Sequence, residues 1–274
     1  MNPVVGLIPA AGFARRIAGI PGSKEVIPLP PKGEPVIAFS LEAMARAGIS
    51  DVVVVLRPEK EDIPRRLGSG DTWGLQLEYV ETGPTRGPVE TLDRAYERIR
   101  GASVALAFPD ILMTCADPYE PLLRGLREDG MESVLGLFPR TPRQFADPVL
   151  LEEGFQGSPG RARGESWPPG QLRRVLEILP KGPVRGPGKN TPWCWGVAVW
   201  SPALSEFIHE EVERGDAPDW GGDWGLGHVL NRGVTAGLGT GAVVVSSDPF
   251  LDMGTPEGLA WALEGRRTPA DAPP

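Results

Sequence analysis

Val4-Val5-Gly6-Leu7-Ile8-Pro9-Ala10-Ala11-Gly12-Phe13-Ala14-Arg15-Arg16-Ile17, with Gly22-Ser23-Lys24 a few residues on, is the stretch that decides the architecture. Val4 to Ile8 is a short apolar run, and Pro9 to Gly12 ends it, so it reads as a buried strand feeding a loop. The loop is built of small residues, which let backbone N–H groups come close to an anion. Arg15 and Arg16 add fork-shaped donors for phosphate oxygens, and Lys24 adds a movable point charge. The pattern is neither a Walker-type loop nor Gly-x-Gly-x-x-Gly. By composition alone, an exposed turn with a solvated arginine pair accounts for the same residues.

Outward from this loop, strand and helix signals alternate. Pro35 to Gly48 carries apolar residues at helical spacing, with Pro35 suited to a first turn and Gly48 to a C-terminal cap. Asp51 to Leu56 is β-branched almost throughout and reads as a second buried strand, and Leu75 to Val80 alternates like a third. Val89 to Arg100 reads as a helix, Ser103 to Phe108 as a strand ending at Pro109-Asp110, Pro118 to Asp129 as a helix, and Glu132 to Phe138 as a strand. Alternation without hairpin signals predicts an α/β fold. Its sheet is Rossmann-like, mixed but mostly parallel and flanked by helices, with ligands at the carboxyl ends of the strands.

Residues 152–193 then turn dense in Gly, Pro and Arg, and only Leu172 to Leu179 among them looks strand-like. This segment reads either as long loops over a smaller second lobe or as a linker. Trp193 to Trp200 is an apolar strand and Pro202 to Arg214 a helix. Asp223, between Trp220 and Trp224, is placed to cap a further helix start. Ala242 to Ser246 and Phe250 to Met253 read as late strands, Pro256 to Gly265 as the last helix, and 270–274 as a frayed tail. The chain divides into a first half (1–138), a second with the insertion (139–240) and a returning strand and helix (241–274).

The balance of 28 basic and 36 acidic side chains leaves a formal charge of −8. That argues against a nucleic-acid binder, which needs a basic face to displace counterions. A local cationic cluster still allows a phosphate-bearing substrate. Cys115, Cys194, His209 and His228 match no zinc spacing. With no signal-like or membrane-length apolar run, the expectation is a cytoplasmic protein that meets neither membrane nor nucleic acid.

Two acidic residues follow apolar strands, Asp110 and Asp252, the latter in Leu251-Asp252-Met253-Gly254-Thr255-Pro256-Glu257. Carboxylates from separate strand ends could share one Mg²⁺ against triphosphate oxygens. Pro-Asp is equally a turn or helix start, and Asp252 a turn residue before Gly254; spacing does not choose.

Taken in order, four blocks resemble the sugar-1-phosphate nucleotidyltransferase family, most closely its glucose-1-phosphate thymidylyltransferase branch. Ala10 to Ile17 stands where that family has its glycine-rich loop ending in Arg-Leu. Ser23-Lys24-Glu25-Val26-Ile27-Pro28-Leu29 resembles Ser-Lys-x-Leu-x-Pro-Val. Phe108 to Ile111 corresponds to Gly-Asp-Asn, and Leu251 to Glu257 to Leu-Asp-Thr-Gly-Thr-Pro-Glu. The resemblance implies the nucleotide-diphospho-sugar transferase fold with a smaller acceptor-binding lobe. It also implies a reaction in which a nucleoside triphosphate and a sugar 1-phosphate give a nucleotide sugar and pyrophosphate with Mg²⁺.

Carried over residue by residue, Arg16 clamps the triphosphate and the leaving pyrophosphate, and Lys24 neutralises the attacked α-phosphate and the incoming phosphate. Asp110 and Asp252 hold Mg²⁺. Ala10, Ala11, Gly12, Phe13, Ala14 and Arg15 line the nucleotide, with Thr82 and Gly87 near its base. Lys181 and Gly196 fall on the acceptor side. A homo-oligomer is a further expectation from the resemblance.

The departures are specific. Arg15 replaces the family's Thr or Ser, Ala11 and Ala14 replace glycines, and Thr82 stands where a base-reading Gln is usual. The family's Glu-Lys-Pro block survives only as Ile178-Leu179-Pro180-Lys181. Those differences keep open a cytidylyl- or uridylyltransferase acting on a non-hexose phosphate or phosphonate, with Arg161, Arg163, Arg173, Arg174 and Arg185 either as charges for a more anionic acceptor or, for most of them, as a solvated loop. A non-catalytic nucleotide-sensing subunit is a third reading, against which stands the retention of both carboxylates. Trp193 and Trp195 are expected on one face of their strand, as core residues rather than a stacking platform.

Overall fold

The computed structural model describes residues 2–13, 16–17, 19, 22–141, 146–152, 171–180, 191–215 and 224–269. Ala14, Arg15, Lys181, the Asp223 cap and most of the arginine-rich insertion lie outside them. The strands of the first half are β1 (Val4–Pro9), β2 (Pro28–Leu29), β3 (Glu34–Pro35), β4 (Asp51–Leu56), β5 (Gln76–Glu81), β6 (Ser103–Ala107) and β7 (Ile111–Leu112). Those of the second are β8 (Ser133–Pro139), β9 (Val149–Leu151), β10 (Arg173–Ile178), β11 (Trp193–Trp200), β12 (Thr240–Val244) and β13 (Leu251–Asp252). The helices are α1 (Ala38–Arg46), α2 (Asp62–Leu67), α3 (Pro88–Asp93), α4 (Tyr96–Ile99), α5 (Tyr119–Glu128), α6 (Pro202–Arg214), α7 (Leu226–Thr235) and α8 (Pro256–Leu263).

Nine strands form one sheet in the order β5-β4-β1-β6-β11-β8-β12-β10-β9. Seven run in one sense; only β10 and β11 oppose them. The expected mixed, mostly parallel sheet is therefore borne out. Alternation of side chains splits each central strand between two cores. Leu7, Val53, Val55, Val104 and Leu106 face α3, α6 and α7, against Leu92, Leu204, Ile208 and Val229. Ile8, Val52, Val54, Ala105 and Ala107 face α1, α2 and α5, against Leu41, Met44, Ile63 and Leu122. Burial on both faces is why Val52 to Leu56 reads as an unbroken apolar run.

Trp193 to Trp200 shows how packing refines a pattern. Trp195 pairs with Leu137, but the next partners are Val197 and Gly136, so β11 carries a bulge at Gly196. The bulge resets the alternation: Trp193, Trp195, Ala198 and Trp200 share one core, and Cys194, Val197 and Val199 the other. The tryptophans are core residues, as expected.

Several boundaries differ from the sequence reading. Pro35 is not in a helical turn: it pairs with Pro28 in a small hairpin, and α1 begins only at Ala38. The reason is local, since the Val36 and Ile37 N–H groups are drawn to the Ile27 and Glu25 carbonyls. The helix expected over Val89 to Arg100 is two, α3 and α4, separated where Ala95 N–H takes an i→i−3 bond to Leu92. α2 and β9 were not marked by the sequence reading, and of α7 only a start was expected, at Asp223; the helix begins at Leu226 with Gly225 as its N-cap. α7 has glycine-rich ends, and β9 is three residues long. No helix of the described residues is long and apolar enough to cross a membrane.

Tyr119 tests the core beneath the sheet edge. Its ring is fully buried and its hydroxyl donates to the Leu106 carbonyl at 3.0 Å, with burial pushing the phenol well above its usual range. Tyr119→Phe is expected to lower unfolding stability by about 1 kcal/mol, measured in urea, because a hydrogen bond is lost and little volume changes.

Candidate functional site

The carboxyl ends of β1, β4, β5, β6 and β8, with the amino end of β11, make one edge of the sheet. Two short connections bring distant carboxylates together on it. β13 pairs with β7 so that Asp252 lies opposite Ile111, and Met253 N–H donates to the Asp110 carbonyl at 2.9 Å. The turn after Asp252 is fixed by its own bonds. Gly254 N–H donates to Asp252 Oδ1 at 2.7 Å, and Thr255 caps α8 by accepting from Gly258 N–H at 3.1 Å. Pro256 fits the first turn.

The convergence is sharpest at Gly254. A β-carbon there would lie 2.8 Å from Asp252 Oδ1, 2.9 Å from Arg16 Nη2 and 3.0 Å from Asp110 Oδ2. Lys24 Nζ donates to Asp110 Oδ2 in an ion pair. Four of the residues picked out by sequence therefore share one small volume. Burial by itself would lower the lysine pKa, but Asp110, Glu25 and Asp252 together hold it above its usual value. Burial likewise pushes Asp110 up; the Lys24 charge and hydrogen bond, helped by Arg16, overcome it and hold the carboxyl low. Both groups are ionised at neutral pH.

Beside this cluster lies the loop that follows β1. Ala10 and Ala11 are buried, and Ala10 N–H is already committed to the Val55 carbonyl at 2.7 Å. Donors for an anion must therefore come from later in the loop. Gly12 and Phe13 are exposed, and a β-carbon on Gly12 would meet nothing within 4 Å. Thr82 directly follows β5, with its N–H donating to the Leu56 carbonyl at 2.8 Å; it is buried, and its hydroxyl donates to the Gly83 carbonyl at 3.2 Å. Gly87 has φ +152°, and a β-carbon on it would lie 2.4 Å from Trp224 N. Its lack of a side chain admits the Trp224 backbone, whose N–H and C=O bond Arg86 and Val89.

Gly196 lies at the β11 bulge with the Phe138 and Phe250 rings 3.1 Å from where its β-carbon would be. Trp195 packs on Phe108 with ring centroids 5.6 Å apart. One cation escaped the sequence reading: Arg57, just past β4, lies over the Phe13 ring at 3.2 Å. The signal was available, since Arg57 follows a buried strand as Asp110 does. Among the described residues no cluster of three or more His, Cys, Asp or Glu could hold a metal. Asp110 Oδ2 and Asp252 Oδ1 converge beside Gly254, and two hard carboxylate donors would suit a divalent cation.

Comparison with known proteins follows the same edge. A model of the MobA-like NTP transferase domain matches residues 6–181. A glucose-1-phosphate thymidylyltransferase of Streptomyces antibioticus is 25% identical over 96% of this chain and 65% of its own length. A CMP-5'-(3-aminopropyl)phosphonate synthase of Streptomyces rubellomurinus is 35% identical over 28% of this chain and 12% of its own. The chain thus spans less than two thirds of the relatives it matches, with 46% and 52% for two further glucose-1-phosphate thymidylyltransferases. In structure, the UTP-bound UGPase of Acinetobacter baumannii covers 96% of the chain, and 93% of that protein is matched. The TM-score is 0.72 at 13% identity, a likeness of fold. These matches bear out the resemblance to sugar-1-phosphate nucleotidyltransferases.

Proposed function

Because the chain belongs to the MobA-like NTP transferase domain family, we propose that it is a Mg²⁺-dependent nucleotidyltransferase that condenses a nucleoside triphosphate with a sugar 1-phosphate and releases pyrophosphate. The observation that carries this reading is the meeting of Arg16, Asp110 and Asp252 around Gly254, with Lys24 on Asp110. The relatives named glucose-1-phosphate thymidylyltransferase support the acceptor class.

The chemistry asks little of the protein beyond placement and charge. A phosphate oxygen of the acceptor attacks the α-phosphorus in line, and pyrophosphate departs. The nucleophile is already ionised at neutral pH, so no general base is required. Arg16 holds the outer phosphates and receives the charge that builds on pyrophosphate. Lys24 turns from Asp110 to the α-phosphate and the incoming phosphate, which it draws together. Asp110 and Asp252 would hold the Mg²⁺, which when bound neutralises triphosphate oxygens.

A second reading is favoured by Thr82. Its hydroxyl is turned to Gly83, where the family has a base-reading glutamine, and one relative is a CMP-5'-(3-aminopropyl)phosphonate synthase. It keeps the reaction and changes the pair to CTP or UTP with a non-hexose phosphate or phosphonate. Pyrophosphate release, screened over four triphosphates against sugar 1-phosphates and phosphonates with Mg²⁺, separates the two. Turnover with a sugar 1-phosphate is expected. Turnover confined to CTP or UTP and a phosphonate would select the second reading. Triphosphate binding without turnover on any pair would leave a nucleotide sensor and refute both.

A further inference from the structure

The turn that carries Lys24 is braced from behind by residues the proposed chemistry does not use. Asp62, at the start of α2, accepts from both Ser23 N–H and Ser23 Oγ at 2.6 Å each. Lys60, two residues earlier, donates to Glu25 Oε1 at 2.8 Å, and both side chains of that pair are buried. Lys24 thus sits between two residues that are each tied to one short segment after β4. The charges alternate along the line: Lys60, Glu25, Lys24, Asp110.

This arrangement is costly to build. Among the described residues Glu25 Oε2, which is buried, finds no hydrogen-bond partner. Burial, reinforced by the Lys24 and Arg57 charges, lowers the Lys60 pKa despite the ion pair with Glu25. A buried ion pair contributes little net stability against an apolar pair of similar shape, so its use here points to geometry. The hydroxyl and backbone bonds outweigh the burial cost at Asp62 and hold its carboxyl below the usual range, so it stays an acceptor.

We propose that Asp62 and Lys60 are positioning residues: Asp62 fixes the backbone of Ser23 and Lys60 holds Glu25, so that the intervening Lys24 ammonium is left facing Asp110 and the α-phosphate. The link to catalysis rests on the nucleotidyltransferase reading; the brace itself does not. Loss of Lys60 leaves the Glu25 carboxylate buried and unpaired, and the turn opens to hydrate it. Loss of the Asp62 carboxylate frees the turn from the other side.

The test uses Lys60→Met, Asp62→Ala and the neutral pair Lys60→Met with Glu25→Gln. A short pulse of acetic anhydride, read by mass spectrometry, reports how accessible Lys24 is relative to exposed Lys32, with no substrate present. Acetylation of Lys24 is expected to rise about tenfold in each single variant and to return close to wild type in the neutral pair. Turnover then follows: kcat falls roughly 10- to 100-fold in the single variants with triphosphate KM nearly unchanged, since Arg16 still binds the outer phosphates. The neutral pair recovers most of kcat. Should Lys60→Met fail to fold, Asp62→Ala and the neutral pair decide. Unchanged Lys24 labelling, or labelling that rises with no loss of kcat, overturns the proposal. Raised labelling in a protein with no turnover on any substrate pair supports the brace and sinks the nucleotidyltransferase reading instead.

Discussion

Asp110→Asn is expected to cut kcat by about 10³-fold, the lower end of what one charge stabilising a transferring phosphoryl group is worth. The substitution keeps the shape of the residue, and its backbone carbonyl still accepts from Met253 N–H. What disappears is the charge that Lys24 and a divalent cation share. Asp252→Asn is expected to lose activity to a similar degree, because an amide oxygen can still accept from Gly254 N–H and so preserves the turn. Pyrophosphate release measures the loss, and Mn²⁺ binding followed by electron paramagnetic resonance checks its cause without any turnover. Either variant within tenfold of wild type, or with undiminished Mn²⁺ affinity, would remove the metal assignment.

The same carboxylate makes a prediction about stability. The folded pKa of Asp110 lies below its ordinary value of 3.8, so folding gains from its ionised form. That contribution is present above 3.8 and is lost as pH falls through the lowered value. Asp110→Asn has no such carboxyl to titrate, so part of the wild-type acid sensitivity in urea unfolding should vanish with it.

Gly254→Ala is the second large effect. The added methyl would stand 2.8 to 3.0 Å from Asp252 Oδ1, Arg16 Nη2 and Asp110 Oδ2, tighter than carbon–oxygen or carbon–nitrogen contacts allow. Each of the three groups must give way, and all three are the groups proposed to hold the reacting phosphates and metal. A misplacement on the ångström scale costs about 10²-fold, so kcat/KM is expected to fall by that order while the fold persists. Gly12→Ala is the useful contrast: its methyl would meet no protein atom within 4 Å. Unfolding stability should stay near wild type there, and any loss of triphosphate affinity then measures how closely a phosphate approaches that backbone. Unimpaired turnover in Gly254→Ala would show that the reaction does not use this convergence.

Much of the fold was legible because its central strands are extreme. Asp51 to Leu56 and Trp193 to Trp200 were bounded correctly from the chain alone, since strands buried on both faces carry nothing but apolar side chains between clear stops. α6 was bounded equally well, with Pro202 inside its start and Gly215 just past its end. The failures have a common cause. The fixed φ of proline suits a first helical residue, but the backbone bonds of Val36 and Ile37 to the Lys24 turn determine where the helix begins. α7, with glycine at its N-cap and within its first and last turns, lacks the propensity that marks a helix locally.

The chain by itself determined the parallel α/β layers, because burial on two faces leaves its mark on neighbouring residues; Arg16, Lys24, Asp110 and Asp252 were candidates that only the family resemblance raised above ordinary turn residues. Only the tertiary structure decided that those four meet at Gly254. It is the β7–β13 pairing, a contact between residues far apart in the chain, that sets Asp252 beside Asp110. It alone showed the Gly196 bulge, Arg57 against Phe13, and Lys60 and Asp62 behind the Lys24 turn. Such contacts depend on which side chains packing brings together, and no periodicity along the chain records them.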